Sequence, residues 1–310
     1  MGKRILLLLL LCSLFLGAFG QVENTDDTVD AAPNALSSIK PVKNEAVKVF
    51  TSTRIINGSS VTNLPDGVLD FRISHRFGQL NQGAQNFYGL DDATTRLGLD
   101  YGITKWLMVG IGHSVFNKED DGFLKLRLLR QKHGASPIAL DYYGAISVQT
   151  TPAPSLPQGE TFQFKDRLYY VNQLLIARKF GDYLSLQLMP TIIHYNIIDS
   201  SKFLNNTIAL GIGGKIRITK RLSITGEYYY RLTNTDLTYN GAPTHNSLSV
   251  GLEIESGGHV FQLMFTNSQG ITDRTFMGQT TDSWSKGQIH FGFNISRSFA
   301  IVKSKEFKYK

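Results

Sequence analysis

The sequence predicts an all-β protein, a transmembrane antiparallel up-and-down β-barrel of about 12 strands (range 10–14) preceded by a cleaved signal peptide. Three observations lead to this fold class. Apolar and polar residues alternate from about residue 67 to residue 299. The alternating segments form an even number of strands, and the connections between them are short and long in turn, as in bacterial outer-membrane barrels.

The first twenty residues have the layout of a secretory leader. Lys3 and Arg4 precede an apolar run over 5–19, and Ala18-Phe19-Gly20 offers small residues for cleavage before Gln21. A membrane anchor is the alternative, but the run is shorter than the roughly 20 residues that a spanning helix needs. Cys12 is the only cysteine. The mature chain therefore has no disulfide, thiol nucleophile or thiolate metal site.

The net charge of +7 comes largely from the two ends of the chain. Lys3 and Arg4 carry part of it, and the tail 303–310 has four lysines and one glutamate. The remainder is nearly balanced, so the isoelectric point of 9.3 gives no reason to expect a nucleic-acid partner.

Segments that precede and follow the barrel are predicted from composition. Residues 21–49 are polar and read as a flexible periplasmic N-terminal segment. Residues 50–66 contain a short β-like stretch, which predicts a short periplasmic or lumen-inserted segment; a thirteenth wall strand is the alternative. The barrel is predicted over 67–299, and 300–310 forms a basic C-terminal tail.

Twelve strands are predicted from the alternation. Their ranges are 67–77, 94–102, 105–116, 123–131, 137–151, 167–180, 183–195, 206–218, 221–232, 247–256, 260–270 and 287–299. Pro190 predicts a bulge and a change of phase within its strand. Aromatic residues near strand ends predict interfacial girdles; they are Phe77, Tyr101, Trp106, Phe116, Phe180, Tyr183, Tyr195 and Phe299.

The connections fall into two length classes. The tight ones are predicted at 102–104, 132–136, 181–182, 219–220 and 257–259, and the longer ones at 78–92, 117–122, 152–166, 196–205, 233–246 and 271–286. Short periplasmic turns and longer outer loops have this asymmetry. The first strand then starts, and the last ends, on the periplasmic side.

Charged residues recur in one phase of the strands. We assign this phase to the inward face of the barrel, because charge cannot face hydrocarbon. The lumen-lining candidates are Asp70, Arg72, Arg76, Arg96, Asp100, Lys125, Arg127, Asp141, Lys215, Arg217, Glu227, Arg231, Glu253 and Glu255. Eight positive and six negative groups suit a narrow or partly plugged lumen crossed by ion pairs, rather than a wide anion pore. The alternative is the solvated face of a soluble β-sandwich or barrel.

The sequence contains no established metal, cofactor or nucleophile motif. His245 and Ser247 share a strand face, with Asn267 as a conceivable partner, as in outer-membrane phospholipases; Ser247, however, has the lumen phase. The acidic pairs near Asp91 and Asp120 could hold calcium but are common in exposed loops. His75 and His113 lie in apolar rows and read as interfacial residues. No enzyme activity, cofactor or metal is therefore predicted.

Several motifs resemble an uncharacterised family, a domain of unknown function found as β-barrel proteins in Gram-negative outer membranes. The matching stretches are His75-Arg76-Phe77-Gly78, Leu80-Asn81-x-Gly83, Phe87-x-Gly89-Leu90-Asp91, Arg96 to Thr104, Asp121 to Lys125 and Leu128 to Gln131. The resemblance spans about 48–300. It implies the fold and the location, and adds no activity.

The leading functional hypothesis is a narrow conduit or transport barrel, or the membrane partner of an unidentified periplasmic protein. A structural or adhesion barrel with a closed lumen and binding outer loops is the second hypothesis, and an outer-membrane lipid hydrolase is the third. The expected partners are outer-membrane lipid and, during biogenesis, the barrel-assembly machinery.

Overall fold

A computed structural model describes residues 46–152, 161–197 and 204–302 of the chain. The predicted leader, most of the predicted N-terminal segment and residues 303–310 of the predicted tail lie outside the described residues. Among the described residues, no helix is long and apolar enough to cross a membrane.

Twelve antiparallel strands close into one barrel, which confirms the predicted fold class. They are β1 (Val68–Gln79), β2 (Ala93–Gly102), β3 (Leu107–Ser114), β4 (Glu119–Leu129), β5 (Ala139–Gln149), β6 (Leu168–Phe180), β7 (Leu184–Tyr195), β8 (Asn206–Arg217), β9 (Leu222–Arg231), β12 (Ser247–Ser256), β13 (His259–Thr266) and β14 (His290–Ala300). Each strand pairs with its neighbours in sequence, and β1 closes the barrel against β14. The short strands β10 (Thr238–Tyr239) and β11 (Ala242–Pro243) form a separate hairpin between β9 and β12.

The alternation of the sequence decides which side chains face outward. In β12, Leu252 is 41% exposed, whereas its neighbour Glu253 is 3% exposed. The same two-residue period places Ile111 of β3 and Ile212 of β8 on the outer wall. Successive side chains of a strand point to opposite faces, so one row faces outward and the other fills the barrel.

Three local predictions are wrong. Pro190 causes no bulge: β7 is continuous, and its ladder with β6 skips Leu174 and Leu175 but resumes in the same register. Strand β4 begins at Glu119, so the link 115–118 between β3 and β4 is short, and the link 130–138 between β4 and β5, predicted as a tight periplasmic turn, is the longer of the two. Tyr195 does not join an outer girdle, because its ring is buried inside the barrel.

The barrel interior is filled from both ends. Residues 46–66, here called the plug, enter at the end where β1 starts and contribute no strand to the wall. From the other end, the loop 267–289 between β13 and β14 folds inward as a short helix, Asp273–Gly278, whose six residues are all buried. Apolar residues of both segments form one core with the inward side chains of the wall, and this core includes Phe50, Ile55, Phe276, Met189 and Tyr229.

The outward rows give a direct test of the membrane assignment. Leu252 lies in the middle of β12 on the outer face. Leu252→Arg should lower the free energy of unfolding in lipid vesicles by about 2–4 kcal/mol, the cost of arginine at the bilayer midplane. Phe299→Arg, at the end of β14, should cost about 0–1 kcal/mol because it lies near the interface. Denaturant titration of both variants in vesicles measures the difference, and equal costs would contradict a membrane-embedded wall.

Candidate functional site: the plugged lumen

The innermost part of the plug is a tight turn, Ile55 to Gly58, here called the tip. Within it the Ile55 N–H donates to the Gly58 carbonyl (2.9 Å), and Arg54 and Ser59 form a β-bridge behind it. The plug therefore runs inward, reverses at the tip and runs back.

One carboxylate on β9 holds three backbone amides of the tip. Glu227 accepts hydrogen bonds from the N–H groups of Asn57 (2.8 Å), Gly58 (3.0 Å) and Ile56 (3.3 Å). Glu227 is only 3% exposed, so these bonds form away from water. Hydrogen bonds to a buried charge are among the strongest in proteins, and we regard Glu227 as the anchor of the tip.

The carbonyl groups of the tip also have partners. Gln262 donates its amide N–H to the Ile55 carbonyl (2.8 Å), and Asn294 donates to the Ile56 carbonyl (2.9 Å). The Asn57 carbonyl accepts from Arg54 (2.8 Å). Every backbone polar group from Ile56 to Gly58 is thus satisfied, although the segment has no regular secondary structure. Buried irregular backbone is stable only under this condition.

The side chain of Asn57 extends this recognition to two more strands. Its amide oxygen accepts from Arg76 of β1 (2.8 Å), and its amide nitrogen donates to Ser249 of β12 (3.1 Å). Arg76 is fully buried. The wall therefore binds both the backbone of the tip and the one polar side chain of the tip, that of Asn57.

The returning arm of the plug is held by a lysine. Lys125 of β4 donates to the carbonyl groups of Ser60 and Thr62, both at 2.8 Å. Gln187 of β7 bonds the same arm, donating to Ser59 (2.7 Å) and accepting from Val61 (2.9 Å). An ammonium group that is completely buried needs such acceptors, because its desolvation is costly otherwise.

The incoming arm is bonded through side chains. Ser185 donates to the Val49 carbonyl (2.6 Å), and Arg72 donates to Thr53 (2.7 Å), whose hydroxyl in turn donates to Asp100 (3.1 Å). Lys215 donates to Thr51. Polar side chains on at least six strands of the wall thus contact the plug. The plug does not lie in a purely apolar cavity.

Two glycines show how closely plug and wall approach each other. A Cβ atom on Gly58 would lie 1.9 Å from the Tyr229 hydroxyl, and one on Gly213 of β8 would lie 2.5 Å from the Ile55 side chain. Neither position accepts a larger residue unless the plug moves. The tip therefore fits against the wall in one position.

The helix of the 267–289 loop is fixed by a buried ion pair. Arg274 donates through its Nε to Glu119 at 3.1 Å and also bonds the same carboxylate through Nη2. Its guanidinium lies 4.0 Å from the centre of the Tyr169 ring. Both charged side chains are completely buried. This pair ties the loop to the start of β4.

The plug and the helix meet inside the barrel. Arg54, next to the tip, lies 3.9 Å from Asp273, and Asp273 also accepts a hydrogen bond from Tyr143 (2.6 Å). Burial raises the pKa of the Asp273 carboxyl, although Arg54 and Tyr143 both oppose that shift. Burial alone would lower the pKa of Arg54, but nearby acidic groups, Asp273 among them, outweigh it and raise the pKa.

Most of the predicted lumen-lining residues are enclosed within the barrel rather than open to water. Ten of them are buried: Asp70, Arg72, Arg76, Arg96, Asp100, Lys125, Asp141, Glu227, Arg231 and Glu253. Arg127, Lys215 and Arg217 are half-buried on the inward face nearer the end where β1 starts, and the Glu255 side chain is 46% exposed at the rim. Ion pairs form along the inner face of the wall, between Lys215 of β8 and Glu253 of β12 (2.5 Å) and between Arg72 and Asp70 within β1 (3.4 Å). Neither of these pairs crosses the lumen.

The sequence alone did not indicate several residues of this site. Glu119 and Asp121 fall in the predicted loop 117–122, although both share the phase of Lys125. Continuing the alternation of that strand backwards through residues 121 and 119 identifies them. Asp121 forms a two-pronged ion pair with Arg96, at 2.5 and 2.8 Å. Arg54 and the helix residues Asp273 and Arg274 carry no periodic signal in the sequence.

The other candidates from the sequence lie apart from this site. Ser247 is 1% exposed at the start of β12, and His245 precedes it in the loop. His75 stacks on Phe293 of the outer wall (5.0 Å), and His113 contacts Asp120 (2.6 Å) on the same face. Among the described residues, no group of three or more metal-ligating side chains is close enough to hold an ion.

Comparison with known proteins identifies the family. Residues 50–299 match the family model described as membrane bound beta barrel domain (DUF5777). The chain belongs to this family. The match begins within the plug, so the family domain comprises most of the plug as well as the wall.

Three solved outer-membrane proteins are similar to this chain at low sequence identity. The NanC porin is 9% identical with a TM-score of 0.49, covering 74% of this chain and 98% of its own. The KdgM porin is 10% identical with a TM-score of 0.44, covering 75% and 99%. An outer membrane channel from Pseudomonas putida F1 is 13% identical with a TM-score of 0.45, covering 76% and 97%. The search of the curated proteins gave no significant match.

Proposed function

We propose that this protein is a gated conduit for small polar solutes in the bacterial outer membrane, and that the plug is its gate. One observation carries the proposal: the chain enters and leaves the plug through the same opening of the barrel. At the incoming end, the Val47 N–H donates to Gln131 in the link between β4 and β5. At the outgoing end, the Gly67 N–H donates to Gly102 at the end of β2. The plug can therefore withdraw as a hairpin without any strand of the wall opening.

The chemistry of the contact also supports a removable plug. The tip is held mainly by hydrogen bonds to Glu227, Gln262, Asn294 and Arg76. Water replaces such bonds when the plug leaves, so the net free energy of seating is much smaller than the number of bonds suggests. An inward wall made of polar side chains remains compatible with water afterwards.

The wall without the plug would suit polar solutes of either charge. Eight cationic and six anionic groups were predicted on the inward face, and they belong to strands all around the barrel. A channel selective for one sign usually carries a ring of like charges. A barrel of twelve strands is also narrower than the 16–18-stranded open porins. We therefore expect weak charge selectivity and a modest size limit.

Outer-membrane location and orientation are part of the same proposal. A spanning β-structure must close on itself in lipid, as this barrel does, and bacterial barrels of the outer membrane have even strand numbers. Because β1 starts at the end where the plug enters, that end faces the periplasm if the N-terminus arrives from there. A periplasmic protein that pulls on the chain before residue 46 would then open the gate.

A closed structural barrel is the second candidate. The buried Arg274–Glu119 pair favours it, because this pair gives the lumen a second obstruction on the outer side. In that case the plug is a permanent part of the core, and the outer loops carry the function. We propose no enzymatic role, since the candidate nucleophile Ser247 faces the interior and is buried.

Conductance of the barrel without its plug separates the two candidates. A variant that lacks residues 46–64, with residue 45 joined to Pro65, should show stable single-channel steps in planar bilayers. The unaltered protein should be closed for most of the time. Electrophoretic mobility with and without heating shows whether each sample is folded.

A matched deletion controls for loss of chain length. A variant that lacks residues 21–45 but keeps the plug should remain as closed as the unaltered protein. If the folded barrel without its plug does not conduct, the gated conduit is wrong and the closed structural barrel is favoured.

A further inference from the structure

A cavity of about 280 Å³ lies at the periplasmic mouth, between the incoming arm of the plug and the wall from β6 to β12. The plug contributes Lys48 to Thr51 to one side of it. The other side consists of inward side chains near the ends of β6, β7, β8 and β9, together with the turn at Lys220. Plug and wall therefore build the cavity jointly.

Positive charge predominates around this cavity. Its six cationic side chains are Lys48, Lys179, Lys215, Arg217, Lys220 and Arg221, and its three anionic ones are Asp182, Glu253 and Glu255. Glu253 is already paired with Lys215 at 2.5 Å, and Glu255 lies 3.8 Å from Lys48. Asp182 is thus the one remaining acid beside four cations.

The strand register brings two of these cations to one side of the cavity. Lys179 of β6 and Lys215 of β8 both pair with Ser185 of the intervening β7. Their backbones are therefore two strand spacings apart, or about 10 Å, with both side chains inward. Arg217 follows Lys215 on the same face, and its guanidinium lies 5.7 Å from the centre of the Tyr183 ring.

Two cations of this cavity, Lys179 and Arg217, have no acceptor for their side-chain donors among the described residues. Within the described residues, neither the Lys179 ammonium nor the Arg217 guanidinium forms a hydrogen bond or an ion pair. Like charges in a partly enclosed space repel one another, so this arrangement costs stability unless an anion occupies it. Lysine and arginine donors that line one cavity suit the oxygens of a phosphate group.

We propose that this cavity binds a phosphate group, carried either by a small soluble phosphate ester or by a lipid headgroup. The volume accommodates one such group and excludes a polymer. The proposal does not depend on conduction through the barrel. Since Lys48 to Thr51 form one side, the ligand recognises the barrel with its plug in place and favours that state.

Calorimetric titration of the purified full chain tests the site. Inorganic phosphate and glycerol phosphate serve as soluble probes, and nanodiscs of phosphatidylglycerol or phosphatidylcholine serve as lipid probes. We expect saturable binding that Lys179→Gln and Arg217→Gln each weaken by about tenfold, the loss of one charge-assisted hydrogen bond. Binding of glycerol phosphate supports a soluble ester, while thermal stabilisation only in phosphatidylglycerol nanodiscs supports a lipid headgroup.

Arg178→Gln is the matched control, because Arg178 precedes Lys179 on β6 but lies exposed on the outer face over Phe180. This variant should bind like the unaltered protein, and the barrel without its plug should bind weakly. Two results would overturn the proposal. One is the absence of binding to every probe; the other is binding that Lys179→Gln and Arg217→Gln leave unchanged.

Discussion

Glu227→Ala is expected to release the tip of the plug and to turn a closed barrel into one that conducts. The substitution removes the acceptor of three backbone N–H groups, those of Ile56, Asn57 and Gly58, at a position that is only 3% exposed. A hydrogen bond to a charged group contributes about 1.5–3 kcal/mol, and a buried donor left unpaired costs a similar amount. A total on the order of 4 kcal/mol shifts the balance between seated and withdrawn plug by roughly a thousandfold. Single-channel recording measures this as an increased open probability.

Two controls show that the change arises from the plug. Glu255→Ala removes a rim carboxylate whose side chain is 46% exposed and whose ion pair with Lys48 is weak, so it should leave the barrel closed. Cysteines at Asn57 and Ser249, whose present side-chain nitrogen and oxygen are 3.1 Å apart, should hold the plug in place when they are joined by a short reducible thiol cross-linker. In that background Glu227→Ala should conduct after reduction only. Conductance that is independent of the redox state would exclude plug withdrawal as its cause.

Arg274→Met should loosen the outer loop without opening the barrel. The substitution leaves Glu119 charged, buried and without its partner, which typically costs about 3–5 kcal/mol. Since the helix Asp273–Gly278 is held at the start of β4 through this pair, we expect the loop 267–289 to leave the lumen. Limited proteolysis from the outer side should then cut the loop much faster. The conductance should stay low, because the contacts of the tip with Glu227 remain.

Removing both charges of the pair tests whether the unpaired charge of Glu119 is what releases the loop. Arg274→Met combined with Glu119→Leu leaves no unpaired charge, and replacing a buried pair with apolar residues is often neutral. The double variant should recover most of the resistance to protease. If it is cut as fast as Arg274→Met, the loop depends on the ion pair itself rather than on the absence of an unpaired charge.

The strands of the wall were predictable from the sequence, because the alternation of apolar and polar residues that marks each strand is local. In β12, Leu248, Val250, Leu252 and Ile254 alternate with Ser249, Gly251, Glu253 and Glu255, and such alternation appears in any window of a few residues. Polar residues in that phase must be enclosed if the apolar rows face lipid. Ten of the fourteen proposed lumen residues are accordingly buried inside the barrel.

The partners of these residues were not predictable. Glu227 and Asn57 are 170 positions apart in sequence, and Asn294 and Ile56 are 238 positions apart. No alternation marks residues 50–66, because a segment held by side chains of the wall needs no regular backbone pattern of its own. The short β-like stretch there predicted a periplasmic or lumen-inserted segment, with a thirteenth wall strand as the alternative.

The sequence by itself determined a closed twelve-stranded wall, its membrane-facing rows and the residues that must lie inside, because a two-residue period fixes the face of each side chain. Only the tertiary structure decided what those inward residues do. Closing the barrel brings Arg76, Glu227, Gln262 and Asn294 from four separate strands around one turn of the chain. Their converging donors and acceptors satisfy a backbone that could not otherwise be buried. The plugged lumen is thus a property of the closed cylinder and of no single segment.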